Sequence, residues 1–241
     1  MWLPDARWES GDLMLGRLPT NNIEIDTSTP LGASITSFAP MTIPLKGRAN
    51  DISDSHSGYV FNESPTWARQ DGVHCLRINY DAGSNEGLQA SKALIPASDD
   101  WTFSMMVYRR FSTLYNYLLS QYVGSQTGRF YMRQRSNTEF QTFDGSNVVY
   151  YTIATIPHDQ WSQYTFRVKN NVMTVFVNQT KSDSATIASN LYQGINTTVG
   201  WGNIGEGERG FIARPIMFNR ALEDSEIFEY HKRQYNFLIP A

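Results

Sequence analysis

Gly210-Phe-Ile-Ala-Arg-Pro-Ile-Met-Phe-Asn-Arg-Ala-Leu-Glu-Asp-Ser-Glu-Ile-Phe-Glu-Tyr230 changes its hydrophobic period partway along, and that change decides how the chain is read. From Phe211 to Phe218 the two-residue period of a strand places Phe211, Ala213, Pro215 and Met217 on one side. Ile212, Arg214, Ile216 and Phe218 fall on the other. Both sides are largely apolar, which predicts a strand covered on both faces, with Pro215 at a bulge or an unpaired N–H position and Arg214 reaching an edge or a partner. Past Asn219, Glu223-Asp-Ser-Glu226 stands where a capping box belongs, although Glu fills the slot that Ser, Thr or Asp fills best. Ile227, Tyr230 and His231 then share one helical face, and Lys232 and Arg233 fall in the last turn, where cations complement the helix dipole. One helix of about three turns beside a strand-like chain is expected to patch one end of a β-sandwich.

Upstream, the strand period recurs. Trp101, Phe103, Met105 and Val107 alternate along one stretch, and Tyr164, Phe166 and Val168 alternate against Thr165, Arg167 and Lys169 along another. Asn170-Asn171 has the residue types that accept the positive φ angles of a two-residue hairpin turn. Between these stretches, Arg129-Phe-Tyr-Met-Arg-Gln-Arg135 points Phe130 and Met132 inward and leaves Arg129, Tyr131, Arg133 and Arg135 on the opposite face. Glu139 to Phe143, a turn at Asp144-Gly145 and Val148 to Ile153 continue the meander. The expected fold is all-β, an antiparallel two-sheet sandwich with one short C-terminal helix.

With 241 residues, 13% aromatic and 18% charged, the chain reads as one main domain with an appendage and without long disordered tracts. Residues 1–43, punctuated by Pro4, Pro19, Pro30 and Pro40, read as an extended N-terminal arm, and residues 44–241 as the domain. The arm either wraps its own domain or docks to a neighbouring subunit, and Trp2 and Trp8 need burial in either case. A net charge of −3 lacks the basic field of nucleic-acid binding. Cys75, the only cysteine, excludes an internal disulfide framework and a cysteine-rich zinc site. The N-terminus lacks the layout of a secretory signal, and no run is long enough to insert in a membrane.

Three segments together resemble the laminin-G-like, concanavalin A-like lectin/glucanase superfamily: Asp100 to Val107, Trp161 to Val168 with Val175-Phe-Val-Asn178, and Gly210 to Leu222 with Glu226-Ile227. Gln179 stands where that pattern has Gly. The resemblance implies two antiparallel sheets packed as a jelly roll, which the alternation supports independently.

The fold alone admits enzymes, lectins and structural modules. Hydrolysis of a glycosidic bond needs paired carboxylates, which glucanases of this superfamily place on one strand as Glu-x-Asp-x-Glu. The nearest match, Glu24-Ile-Asp26, continues into Thr27, Ser28 and Thr29 and lies in the arm, so a hydrolase is disfavoured. His56, His74, His158 and His231 are scattered without the spacing of a metal or catalytic dyad. Calcium is a candidate cofactor because Asp51, Asp54, Asp99, Asp100, Asp144, Glu206 and Glu208 lie in loops, though without a fixed ligand spacing. For a saccharide, whose C–H faces stack on aromatic rings, the candidate binding residues are Tyr115, Tyr117, Tyr131, Arg133, Arg135 and Trp201. The same residue types suit a subunit contact. Without a signal peptide, cysteine pairs or attached domains, the first expectation is a non-catalytic bacteriophage virion protein assembled in the host cytoplasm. It would be a tail or baseplate adhesin or a capsid decoration protein, homo-oligomeric on the particle, contacting other virion proteins and a cell-surface glycan. The alternative is a stand-alone glycan-binding lectin.

Overall fold

In the computed structural model the described residues are 23–38, 48–49, 59–62, 66–78, 87–90, 95–96, 98–110, 116–122, 129–144, 147–187, 196–199, 210–232 and 238–240. Their elements run β1 (Ile23–Ile25), α1 (Pro30–Ala33), β2 (Ile35–Phe38), β3 (Arg48–Ala49), β4 (Tyr59–Asn62), β5 (Thr66–Gln70), β6 (Val73–Ile78), β7 (Gly87–Ala90) and β8 (Trp101–Arg109). Next come β9 (Asn116–Tyr122), β10 (Arg129–Gln134), β11 (Glu139–Asp144), β12 (Val148–Thr152), β13 (Trp161–Lys169), β14 (Val172–Val177) and β15 (Thr180–Thr186). The chain closes with β16 (Asn196–Val199), β17 (Gly210–Phe218), α2 (Asp224–Lys232) and β18 (Leu238–Pro240).

Two antiparallel sheets carry most of these strands. The first has the order β12-β11-β10-β9-β16-β7-β4-β3; the second runs β15-β14-β13-β8-β17-β6-β5, with β2 pairing beside β6 along the later half of β17. Strands β1 and β18 pair as a separate ribbon, so Ile23 lies opposite Pro240. Between the sheets lie the inward residues that the alternation marks: Trp101, Phe103, Met105 and Val107 of β8, Phe130 and Met132 of β10, and Tyr164, Phe166 and Val168 of β13, all at most 1% exposed. Trp101 meets Phe130 edge-on, and Phe140 meets both Tyr164 and Phe166 in the same way, which ties the two layers together through ring contacts. The Asn170-Asn171 turn between β13 and β14 has φ of 51° and 61°, as a hairpin of this type requires.

Strand β17 is buried along its whole length, as its two apolar sides predict, but its two faces are not the ones a strict alternation gives. Between Ala213 and Ile216 the strand advances three residues while β8 advances two, from Met106 to Ser104. The extra residue is a bulge at Arg214-Pro215, where Arg214 takes a left-handed φ of 55°. The bulge shifts the phase by one. Ile212 and Met217 therefore pair with the inward Val107 and Phe103, whereas Phe211, Ala213, Ile216 and Phe218 share the outer side with Tyr108, Met106, Ser104 and Thr102. Arg214 stays 4% exposed with Nη1 directed to the Met106 sulfur at 3.3 Å.

Helix α2 does not patch an end of the sandwich. It lies on the outer face of the second sheet, where Ile227 and Tyr230 join Ile35, Phe38, Phe176, Ile216, Phe218 and Leu222 in a second apolar cluster. The reason is chemical: Thr102 of β8 and Thr165 and Arg167 of β13 point outward yet are buried, and they hold the helix and its leading loop. The Thr102 hydroxyl donates to the Arg220 carbonyl and accepts from the Leu222 N–H, both at 3.0 Å, and Arg167 donates to the Leu222 carbonyl at 3.2 Å. The Asp224 carboxylate lies between Arg167 and Lys181. The helix start is the expected reciprocal cap in half: Glu226 accepts from the Glu223 N–H at 2.8 Å, while the Glu223 side chain turns away to Lys169 at 2.7 Å.

Where the two sheets meet at one edge, β12 lies against β15. The Thr152 N–H of that edge strand donates to the Asp183 carboxylate of β15 at 2.8 Å, joining the sheets by a side chain rather than a ladder.

Candidate functional site

The outer face of the first sheet is where the sequence-derived candidates fall. Along β10, Phe130, Met132 and Gln134 are buried, and Tyr131 and Arg133 alternate with them on the outer side. Strand β11 pairs antiparallel with β10 in a register that sets Tyr131 opposite Phe143 and Arg133 opposite Gln141. On the far side, Gln141 lies opposite Tyr150 and Phe143 opposite Val148 of β12. The turn after β10 brings Arg135 beside Glu139, whose carbonyl accepts the Arg135 N–H at 2.9 Å.

These neighbours form two aromatic–guanidinium pairs. Tyr131 and Phe143 stack at 5.5 Å between centroids with 26° between planes, and the Arg133 guanidinium lies 5.2 Å from the Tyr131 ring. Arg133 Nε also donates to Gln141 Oε1 at 2.9 Å. The second pair is Arg135 over Tyr150 at 4.9 Å, and Arg135 Nη1 donates to Glu139 Oε1 at 2.6 Å. Contacts of this kind hold long side chains in fixed orientations and lower the entropy lost on meeting a ligand. Tyr150, 46% exposed, and Val148, 45% exposed, are among the large apolar side chains most open to solvent. The face therefore combines ring surfaces and planar donors, the chemistry that fits the C–H faces and hydroxyl rims of a sugar, while the buried Gln141 anchors Arg133 from beneath.

Of the other candidates, Tyr117 has its backbone opposite Arg133 across a bulge in the β9–β10 pairing, while Tyr115 and Trp201 lie outside the described residues. Phe143, Gln141, Tyr150 and Glu139 belong to this face and were not singled out from the sequence. The signal for Glu139, Gln141 and Phe143 was present in the alternation of 139–143, and that for Tyr150 in the next stretch, Val148 to Thr152.

The remaining chemistry-bearing residues have structural duties. Asp26 accepts from the Ser28 N–H at 3.0 Å in the turn between β1 and α1, outside both sheets. His74 and His158 are exposed on separate elements, and His231 is buried under α2; His56 lies outside the described residues. Asp100 accepts from the Asn170 N–H at 2.6 Å and Asp144 from the Asn147 N–H at 2.7 Å. Asp51, Asp54, Glu206 and Glu208 lie outside the described residues, and among the described ones no three His, Cys, Asp or Glu side chains group as a metal ion would need. Burial pushes the Cys75 thiol up to about 12, which makes it a poor nucleophile. No described helix is long and apolar enough to cross a membrane.

Residues 82–228 match a family model described as the concanavalin A-like lectin/glucanases superfamily. A search of curated protein sequences finds no match. Among similar solved structures is the binding domain of Paraclostridial Mosquitocidal Protein 1, at TM-score 0.64 and 14% identity over 85% of this chain and 53% of that one. The botulinum neurotoxin serotype D binding domain matches at TM-score 0.64 and 12% identity over 84% and 52%. The binding domain of botulinum neurotoxin DC, in complex with SialylT, matches at TM-score 0.64 and 13% identity over 83% and 51%. The chain thus spans about half the length of the structures it matches. At these identities the likeness is one of fold.

Proposed function

The chain belongs to the concanavalin A-like lectin/glucanase superfamily, and from that premise we propose that it is a non-catalytic carbohydrate-binding module whose ligand lies on the outer face of the first sheet. The observation that carries the reading is the ordered set of Tyr131, Phe143 and Arg133, in which stacked rings lie beside a guanidinium that the buried Gln141 holds in place. The corresponding face of the other sheet is covered by α2, whereas among the described residues this face leaves its aromatic side chains open to a ligand. Two of the similar structures lend direction: one is a complex with SialylT, and another concerns a botulinum neurotoxin type C that depends on two ganglioside molecules.

All the similar structures cited are binding domains of clostridial proteins, so the lectin alternative draws more support than the phage-particle reading. A virion location would use the same face for host contact; mass spectrometry of purified particles tests it separately. The test of the binding function is a glycan array probed with the full chain and with Tyr131→Ala. Selective binding lost in the variant is the expected result. Binding unchanged in the variant would move the site off this face, and uniform silence across the array would count against carbohydrate recognition.

A further inference from the structure

On the proposal that this face binds carbohydrate, we infer that its ligand is an uncharged, extended glycan chain lying across the strands over Tyr131, Phe143, Val148 and Tyr150, and not a single terminal sugar. Residues directly opposite one another in a ladder share a face, and the registers align one such row across the first sheet. Val148 of β12 lies opposite Phe143 of β11, Phe143 opposite Tyr131 of β10, and Tyr131 opposite Ser120 of β9. The row continues through the backbone positions of Thr198 on β16 and Gln89 on β7. None of these six residues is charged. With strands about 4.8 Å apart the row extends about 24 Å, and its apolar end over β10 to β12 spans about 10 Å, already longer than one pyranose ring.

The neighbouring charged side chains Arg133, Arg135 and Glu139 lie to one side of that row and are held by the protein itself. Arg133 donates to Gln141 and packs on Tyr131, while Arg135 is bound to Glu139 and packs on Tyr150. An acidic ligand would have to displace those partners, whereas a neutral chain needs only ring surface for its C–H faces and water-like hydrogen bonds for its hydroxyls. The surface most open to it is apolar. Val148 is 45% exposed, and Tyr150, two residues further along the same side of β12, is 46% exposed even with Arg135 against it. Strand β12 ends the sheet, so a chain laid on the row can run on past the edge, and an internal stretch of a polysaccharide fits as well as its end.

Calorimetry of the full chain against cello-, xylo-, laminari- and malto-oligosaccharides, each from disaccharide to hexasaccharide, tests this, with hexagalacturonate as the charged comparison. At least one neutral series should bind, with affinity rising about tenfold or more along the series and changing less than about twofold as salt is raised. Tyr150→Ala and Val148→Glu each replace an exposed residue, so both should unfold thermally like the wild type while losing most of the gain with chain length. Equal affinity for every length in each series that binds would overturn the extended chain and leave carbohydrate binding standing. Hexagalacturonate bound in preference to every neutral series would overturn the uncharged assignment. A length dependence untouched by both variants would place the chain elsewhere and overturn the inference as well. Binding by no neutral series would overturn it whatever the array shows, and a silent array besides would remove the proposal on which it rests.

Discussion

Acidification from about pH 7.5 to about pH 5 should cost the fold about 2 kcal/mol through His231 alone. The ring is 3% exposed beneath α2, out of reach of the water that would solvate its charged form. Nδ1 faces the Asn178 carbonyl, which only accepts, so Nδ1 carries the proton; Nε2 therefore accepts from the Thr165 hydroxyl at 2.7 Å. Burial accordingly lowers the imidazole from 6.5 to about 4, outweighing the opposing effect of the Asn178 hydrogen bond. The sign follows from linkage. The unfolded chain takes up this proton as pH falls through its ordinary value, whereas the native state resists until about pH 4. Stability is thus intact above about pH 6.5, declines through the window between the two values, and has lost about 3 kcal/mol below it. Urea unfolding of the wild type and of His231→Gln at both pH values isolates this contribution, because the variant keeps two hydrogen-bonding groups but does not titrate. The wild type should lose about 2 kcal/mol more than the variant between the two conditions. Equal losses would refute the account of a neutral, hydrogen-bonded imidazole.

Other perturbations have separable outcomes. Phe166→Ala removes a fully buried ring that packs on Phe103 and Phe140, and should lower unfolding free energy by about 4 kcal/mol in a denaturant titration. Cys75 should resist a thiol reagent in the native protein and react once the chain is unfolded; rapid native-state labelling would contradict its burial. Replacing Arg220 with Gln breaks its bidentate pair with Glu226, whose carboxyl is held below its usual range first by that hydrogen bond. The Glu226 titration, followed by NMR, should then move upward, and helix α2 should exchange its first amide protons faster.

The sandwich was readable because alternation is a local signal: a strand with apolar residues at every second position has one energetically sensible orientation, and β8, β10 and β13 each obeyed it. Strand β17 did not, because Arg214-Pro215 inserts one residue, and its position within the strand depends on pairing with β8. Sequence suggested a bulge at Pro215 but not the reversal of faces beyond it. The helix was legible as an element, from Ile227, Tyr230, His231 and the Glu223–Glu226 cap, yet its docking place depended on Thr102, Thr165 and Arg167, polar residues that resemble a solvated face until a helix is laid over them. The same limit applied to the candidate face. Tyr131, Arg133 and Arg135 lie within five residues of chain and were recognisable together, whereas Phe143, Gln141 and Tyr150 became their neighbours only through the register of two hairpins.

The contact between Thr152 and Asp183 bears on how the protein behaves in a concentrated solution. Strand β12 ends the first sheet, and an end strand with open amides is a template on which a second polypeptide can crystallise its own backbone, the opening step of fibril growth. A carboxylate from β15 occupies the Thr152 amide and places a negative charge where an incoming strand would have to lie. The seam between the sheets thus doubles as a guard against self-templating, beside the exposed Val148 and Tyr150 that would otherwise invite it.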